Sequence, residues 1–342
     1  MRRSTRLGLV ILAALLAVAG AYTVYWFVIA SRIESGLAAW AQSARTDKID
    51  ASWQKLRVRG YPAAFRVDLN SVIVRDGAIR PSPEVYVPLL SGTAYPWDFA
   101  DWQLAAPRGL TAELAAVGGR VPAKLMTQTA DGVISLASDD GWKLSLLLQD
   151  TSVEAGVRVQ VGSAHATITV PPRLPRGPSE PMTGLAVDAR QVKLPVAVGP
   201  LGDTIQELDF DAMVKGAIQN GKLRDAAAAW RDAGGTIEFD NIRLKWRALG
   251  ATAAGTIALD QDLQPIGSFS GAVQGYDHIL TTLVQNGQMR ATDAGLARIA
   301  LTMLAKTGPD GNPEIRTAFR IQNGQMFLGP AKLGTAPRLN WQ

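Results

Sequence analysis

The sequence predicts a mainly β (α+β) protein: an N-terminal transmembrane helix and stalk helix, then antiparallel curved sheet with a few helices in the C-terminal half. Three observations lead there. Leu7 to Ala30 is apolar and carries no charge. From Ala51 onward, apolar residues recur at every second position through run after run, the period of a strand with one buried face. Helical spacing returns only in short stretches after residue 222.

The first run, residues 7–30, is about 36 Å long as a helix at ~1.5 Å per residue, enough to cross a hydrocarbon core of about 30 Å. Ala17-Val18-Ala19 before Gly20 resembles a signal-peptidase site. The run nevertheless continues through Tyr22, Tyr25, Trp26, Phe27 and Ile29, far longer than a signal h-region, and its aromatic residues sit where an interfacial belt belongs. An uncleaved anchor is the expectation. Arg2, Arg3 and Arg6 lie on one side of the run, whereas charges just after it cancel, Arg32 with Glu34 and Arg45 with Asp47. The positive-inside rule then puts residues 1–6 in the cytoplasm and the body across the membrane. Ile33, Leu37, Trp40, Ala41 and Ala44 share a helical face, so residues 31–48 read as a stalk.

Strand period begins with Leu56 and Val58, then Phe65, Val67 and Leu69 after a bend at Gly60-Tyr61-Pro62. From Pro81 to Pro122 prolines interrupt any period. Trp142, Leu144, Leu146 and Leu148 alternate next, after a hairpin turn expected at Asp139-Asp140-Gly141. Val153 to Val161 then alternates as one run, and after a slip at Gly162-Ser163 so do Ala164, Ala166, Ile168 and Val170. Residues 49–170 make a first β-rich half. The proline-rich 171–181 reads as a stiff connection and internal boundary, with a second β-rich half at 182–342. There, Leu208, Phe210, Ala212 and Val214 alternate; Leu223, Ala226, Ala227 and Trp230 mark a helix ended by Gly234-Gly235. Two further helices are expected: one through Ile279, Leu280, Leu283 and Val284, and one capped by Thr292 with a face of Leu296, Ile299, Ala300, Met303 and Leu304. Asn323-Gly324 is a strong hairpin signal. Such a sheet closes as a barrel, pairs as a sandwich, or stays curved around something apolar.

Candidate chemistry is sparse. Cysteine is absent and only His165 and His278 are present, which argues against zinc, disulfides and a thiol nucleophile. Glu207, Asp209 and Asp211 share a strand face, which a solvated surface explains without a cation. Gly118-Gly119 and Gly234-Gly235 belong to no nucleotide loop. Net charge is +5, three units of it before the apolar run, too weak for a nucleic-acid footprint. Arg243, Lys245 and Arg247 alternate with Leu244 and Trp246; they suit anionic headgroups or a strand exterior guarded against edge pairing. No catalytic constellation and no cofactor is expected. The repeated apolar strand face is the most suggestive feature: a closed core, or a groove for acyl chains in which Val157, Val159, Ile168 and Val170 would be lining residues.

Several motifs carry a resemblance: Gly60-Tyr61-Pro62 leading into Phe65-Arg66-Val67-Asp68-Leu69, Gly255-Thr256-Ile257-Ala258-Leu259-Asp260, Gln264-Pro265-Ile266-Gly267, Asn323-Gly324 and Leu328-Gly329-Pro330. The chain resembles a bacterial envelope family known only as a domain of unknown function and, more distantly, the AsmA-like proteins. The resemblance implies an inner-membrane anchor, a β-rich periplasmic body and a part in lipid handling, and it transfers no catalytic residue. The expectation is therefore a non-enzymatic membrane protein that handles lipid or another hydrophobic ligand in envelope maintenance. The alternative is an envelope scaffold that recruits a protein partner through a sheet edge.

Overall fold

The computed structural model describes residues 2–341 except 47, 78, 81, 115–122, 138–140, 220, 288, 309–310, 330 and 337. The expected turn residues Asp139 and Asp140, the Gly118-Gly119 pair and Pro330 lie outside the described residues.

One helix, α1 (Arg2–Ala44), carries both the apolar run and the expected stalk without a break, because no glycine or proline pair separates them. Its outer part is bare: Leu15, Leu16 and Val18 are each more than 60% exposed. From Trp26 onward one side of the helix is covered. Trp26, Ala30, Ala41 and Ala44 are buried, while Ile33 and Leu37 pack on the sheet. The expected stalk helix lies against the sheet over residues 31–44, and Trp40, which shares the face of Ile33 and Leu37 by its spacing, is 51% exposed. The bare apolar part ends near Tyr25. Leu7 to Tyr25 spans about 28 Å, close to the ~30 Å hydrocarbon core, so the run divides into a membrane-length segment and a docking segment.

The strands are β1 (Ile49–Ser52), β2 (Lys55–Arg59), β3 (Phe65–Asp76), β4 (Ile79–Arg80), β5 (Glu84–Tyr95), β6 (Asp98–Ala106), β7 (Leu110–Leu114), β8 (Ala123–Ala137), β9 (Gly141–Glu154), β10 (Arg158–Val170), β11 (Pro181–Lys193) and β12 (Thr204–Lys215). There follow β13 (Gly221–Lys222), α2 (Leu223–Asp232), β14 (Thr236–Trp246), β15 (Leu249–Leu259), β16 (Pro265–Gln274), α3 (Tyr276–Gln285), α4 (Ala291–Leu304), β17 (Lys306–Thr307), β18 (Pro313–Gln322), β19 (Gln325–Leu328) and β20 (Ala331–Thr335). All but β4 and β13 join one sheet of antiparallel neighbours, a meander. β6 and β7 act as one interrupted strand, since β5 and β8 each pair with both. The sheet continues across the proline-rich connection: β10 and β11, on either side of it, pair from Gln160 against Lys193 to Thr169 against Gly184. No pairing closes β1 and β2 onto β20 among the described residues, so of barrel, sandwich and curved sheet the third is realised.

The sheet curls far. β4 follows the Asp76 end of β3, whereas β13 follows the Lys215 end of β12, which the register traces to the opposite, Phe65, end of β3. Even so β4 and β13 pair in parallel. Neighbouring strands rotate by roughly 20–25° each, and over the strands between β3 and β12 that twist accumulates toward half a turn, which brings the two ends together.

A crease crosses the first half. The slip expected at Gly162-Ser163 is one point on a line through Gln128, Asp150, Gly162, Gln191 and Gln206, which face each other on successive strands. Asp150 and Gln191 take left-handed backbone there, as does Ser71 on β3. Each strand changes its inward phase at this line: Leu144, Leu146 and Leu148 face one way, and then Thr151 and Val153 do. Because neighbours slip together, the pairing register stays intact and the apolar face stays on one side.

Other local expectations resolve directly. Residues 153–161 are not one strand: Ala155-Gly156-Val157 forms the β9–β10 turn, with Gly156 at φ 79°. Thr292 does not cap α4; Arg290 stands at the cap with no side-chain bond. Asn323 and Gly324, at φ 53° and 67°, make the two-residue β18–β19 turn. α2 buries Ala226, Ala227 and Trp230 as its spacing predicts.

Candidate functional site: an aromatic collar and an open apolar face

Where α1 enters the sheet, aromatic residues form a collar. Trp26 stacks on Phe65 with ring centroids 5.1 Å apart and planes 10° apart, and Phe65 leans on Phe99 at 5.4 Å. The Gly60-Tyr61-Pro62 bend supplies the other side. Tyr61 meets Trp26 edge-on at 5.6 Å and stacks on Phe27 at 5.9 Å. Three hydrogen bonds close the joint: Tyr22 Oη donates to the Pro62 carbonyl at 2.5 Å, Thr23 Oγ1 and Tyr61 Oη share a bond of 2.6 Å, and Trp26 Nε1 donates to the Ala64 carbonyl at 3.3 Å. The bend needs its glycine. Gly60 sits at φ 108°, and a Cβ there would lie 2.6 Å from the Ala64 carbonyl oxygen. Phe65 is the one large side chain that is completely buried among the described residues.

From the collar the apolar face continues across the whole sheet. Val67, Leu69, Val72, Val87, Ala106, Ala130 and Leu148 lie under α1 and its neighbours and are buried. Farther on, Leu144, Leu146, Ile168, Leu185, Val187 and Phe210 are only half-buried. A row of four phenylalanines crosses the second half. Phe210, Phe239, Phe269 and Phe319 have successive ring centroids 6.3, 5.8 and 6.1 Å apart. Gly255 on β15 lies between Phe239 and Phe269, and a Cβ there would come within 2.6 Å of the Phe269 ring. That close approach is the physical content of the Gly255 position in the sequence motif.

The face is open. The chain exposes 20920 Å², whereas a compact monomer of 36.4 kDa would expose about 13,500 Å². Of the lining residues expected from the sequence, Val159, Ile168 and Val170 lie half-buried on or beside this face. Val157 does not: it stands in the β9–β10 turn, 58% exposed.

The opposite face is charged and largely self-paired. Arg190 bonds Asp188 at 2.7 Å and Glu207 at 2.5 Å, and Arg243 approaches Asp209 at 3.5 Å. This absorbs Glu207 and Asp209, two of the three aligned carboxylates, and Arg243 of the basic run; Asp211 remains exposed. Arg247 takes φ 51° in the β14–β15 turn, off the strand. No group of three or more metal-ligating side chains occurs among the described residues. His165 is exposed on its strand. Asp277, next to His278, pairs with Arg298 of α4 rather than capping α3.

Burial, with Glu207 beside it, pushes the Asp209 carboxyl up to about 6, whereas the hydrogen bond with Asp209 holds Glu207 below its ordinary value. A carboxyl whose folded value is raised contributes stability that is complete below its unfolded value and is lost as pH rises through the folded one. Glu207 acts in the opposite sense, and below its ordinary value of 4.5. Stability should therefore fall between about pH 4.5 and 6 through Asp209. Asp209→Asn should flatten that fall, read as the thermal midpoint against pH in detergent; an unchanged slope would contradict the pairing.

One expectation fails at α4. The spacing marks Leu296, Ile299, Ala300, Met303 and Leu304 as a packed face, but Leu296, Ile299, Met303 and Leu304 are 57–81% exposed and Ala294 is the buried residue. Pro88 and Pro107 hide the strand period of β5, β6 and β7. Two signals remain in that stretch, Tyr95-Pro96-Trp97-Asp98 as a turn and Phe99 and Trp102 as collar neighbours.

These features define a class: a protein with one N-terminal apolar helix of membrane length, docked by an aromatic collar to an open, curled antiparallel sheet. The chain belongs to the DUF2125 family, described as an uncharacterized protein conserved in bacteria, whose family model matches residues 26–337. That match bears on the domain-of-unknown-function resemblance and does not extend to the AsmA-like proteins. Neither a curated protein nor a solved structure matches the chain.

Proposed function

We propose that this is a non-enzymatic, single-pass inner-membrane protein whose body lies in the periplasm and whose sheet takes up lipid acyl chains during envelope maintenance. The observation that carries the reading is the apolar face, which starts at the collar of α1 and stays half-open across the sheet. The physical problem in moving a lipid is the cost of wetting its chains, ~0.8 kcal/mol per methylene. A surface that is apolar without a gap from the bilayer outward removes most of that cost, because the chain passes between two apolar surroundings. The charged face opposite stays hydrated, and its carboxylates are largely taken up in ion pairs with arginines of neighbouring strands.

The test uses the full chain in cells, with a photo-crosslinking amino acid at Ile168 or Leu185 on the apolar face, and at their strand neighbours Thr167 or Ala186 on the other. Lipid adducts at the first pair and none at the second are expected. Equal labelling, or a protein adduct with no lipid at any position, would replace this reading with the scaffold alternative.

A further inference from the structure

We infer that the β5–β6 turn, Tyr95-Pro96-Trp97-Asp98, is a second membrane contact that lies in the headgroup region beside α1. The inference rests on the reading that α1 spans the bilayer. Trp97 is 76% exposed although it is the largest apolar side chain on its turn, and it stacks on Tyr95 with centroids 5.3 Å apart. A tryptophan and a tyrosine held out together in this way are costly in water and favoured at a bilayer interface, where the ring is apolar and its polar edge is wet.

The level of the turn is set by the collar. Phe99, two residues beyond Trp97, touches Phe65, and Phe65 stacks on Trp26. The turn therefore sits at the height where the bare segment of α1 ends. Below that height residues 11–21 of α1 are apolar and exposed, and Val24 at 64% and Phe27 at 59% exposure stand at the rim. Tyr61, hydrogen-bonded to Thr23 and still 46% exposed, joins the same level. The surface that continues the helix outward is thus aromatic, and a bilayer surface is the partner that both features fit. Two contacts on one rigid body would fix the tilt of the sheet, which a single helix leaves free.

The chain has no cysteine, so single cysteines report position cleanly. Ala100→Cys, just past the turn and exposed, would carry an environment-sensitive fluorophore in the full chain, reconstituted in phosphatidylcholine and phosphatidylglycerol vesicles. Val18→Cys marks the bare helix. Gln42→Cys, about 24 Å farther along α1 than Trp26, marks the aqueous side. The expected result is quenching of the Ala100 label by spin-labelled lipid, with iodide quenching several-fold weaker than at Gln42. Adding Trp97→Ser should move the Ala100 label toward the Gln42 behaviour. A lipid-quenched Val18 label with a fully iodide-accessible Ala100 label would overturn the second contact and leave the span standing. Iodide access at both positions would overturn the span reading, and the inference with it.

Discussion

Phe65→Ala should be the most damaging single truncation of the protein, costing about 3–5 kcal/mol. Its ring is completely covered and stands between Trp26 on α1 and Phe99 on β6, so removing it opens a cavity and deletes two aromatic contacts at once. The loss has a particular structural consequence. The joint between helix and sheet is built from Trp26, Tyr61 and Phe65, and without the central ring the collar keeps only Tyr61 against Trp26 and Phe27 and the hydrogen bonds at its rim. Residues 31–44 should then lift from the sheet while the outer apolar part of α1 is unaffected. Limited trypsin digestion of the full chain in nanodiscs would show this as faster cleavage at Arg45 and Lys48, and denaturant unfolding followed by circular dichroism would give the energy. A loss below about 1 kcal/mol, the range of ordinary surface substitutions, would mean that the collar does not hold the two parts together.

The second large effect separates an open face from a closed core. In the double variant Ile168→Asp and Leu185→Asp, two carboxylates face each other on paired strands of the apolar side. Were that side a packed core, two unpaired buried charges would cost enough to unfold the domain. On a half-exposed surface water reaches both carboxylates, so the sheet should fold with a circular dichroism spectrum close to the parent's. Lipid recovered with the protein from mild detergent, weighed by mass spectrometry, should drop at least several-fold, because acyl chains cannot lie against ionised groups. A folded variant that still carries its full lipid would contradict the acyl-chain proposal. An unfolded one would show that the face is covered in the native protein.

Both effects follow from features of different legibility. Strand period two and helical period survive in sequence because a side chain's direction is set by its own backbone. The alternation at Phe65, Val67 and Leu69, the Trp230 helix and the Asn323-Gly324 turn are therefore all readable. Where one local feature has two meanings, reading stops. Val153 to Val161 alternates perfectly, yet Gly156 turns the chain in its middle, and alternating residues look the same in one long strand and in a hairpin. Leu296, Ile299 and Met303 have the spacing of a packed helix face, but they stand exposed. In β5 to β7 the prolines hide the period.

The apolar membrane-length helix, the antiparallel sheet class, the one-sided apolar face and the lack of cysteine are legible from the residues alone. Each of these is written in composition or in short-range periodicity. Long-range packing, not local pattern, sets the stalk helix against the sheet, keeps the sheet open, and carries one sheet across the prolines at 171–181. It alone aligned the crease across successive strands and set Trp26, Tyr61, Phe65 and Phe99 around one joint. These depend on accumulated strand twist and on contacts between residues tens of positions apart, and no local pattern encodes where a twisted sheet brings its own ends.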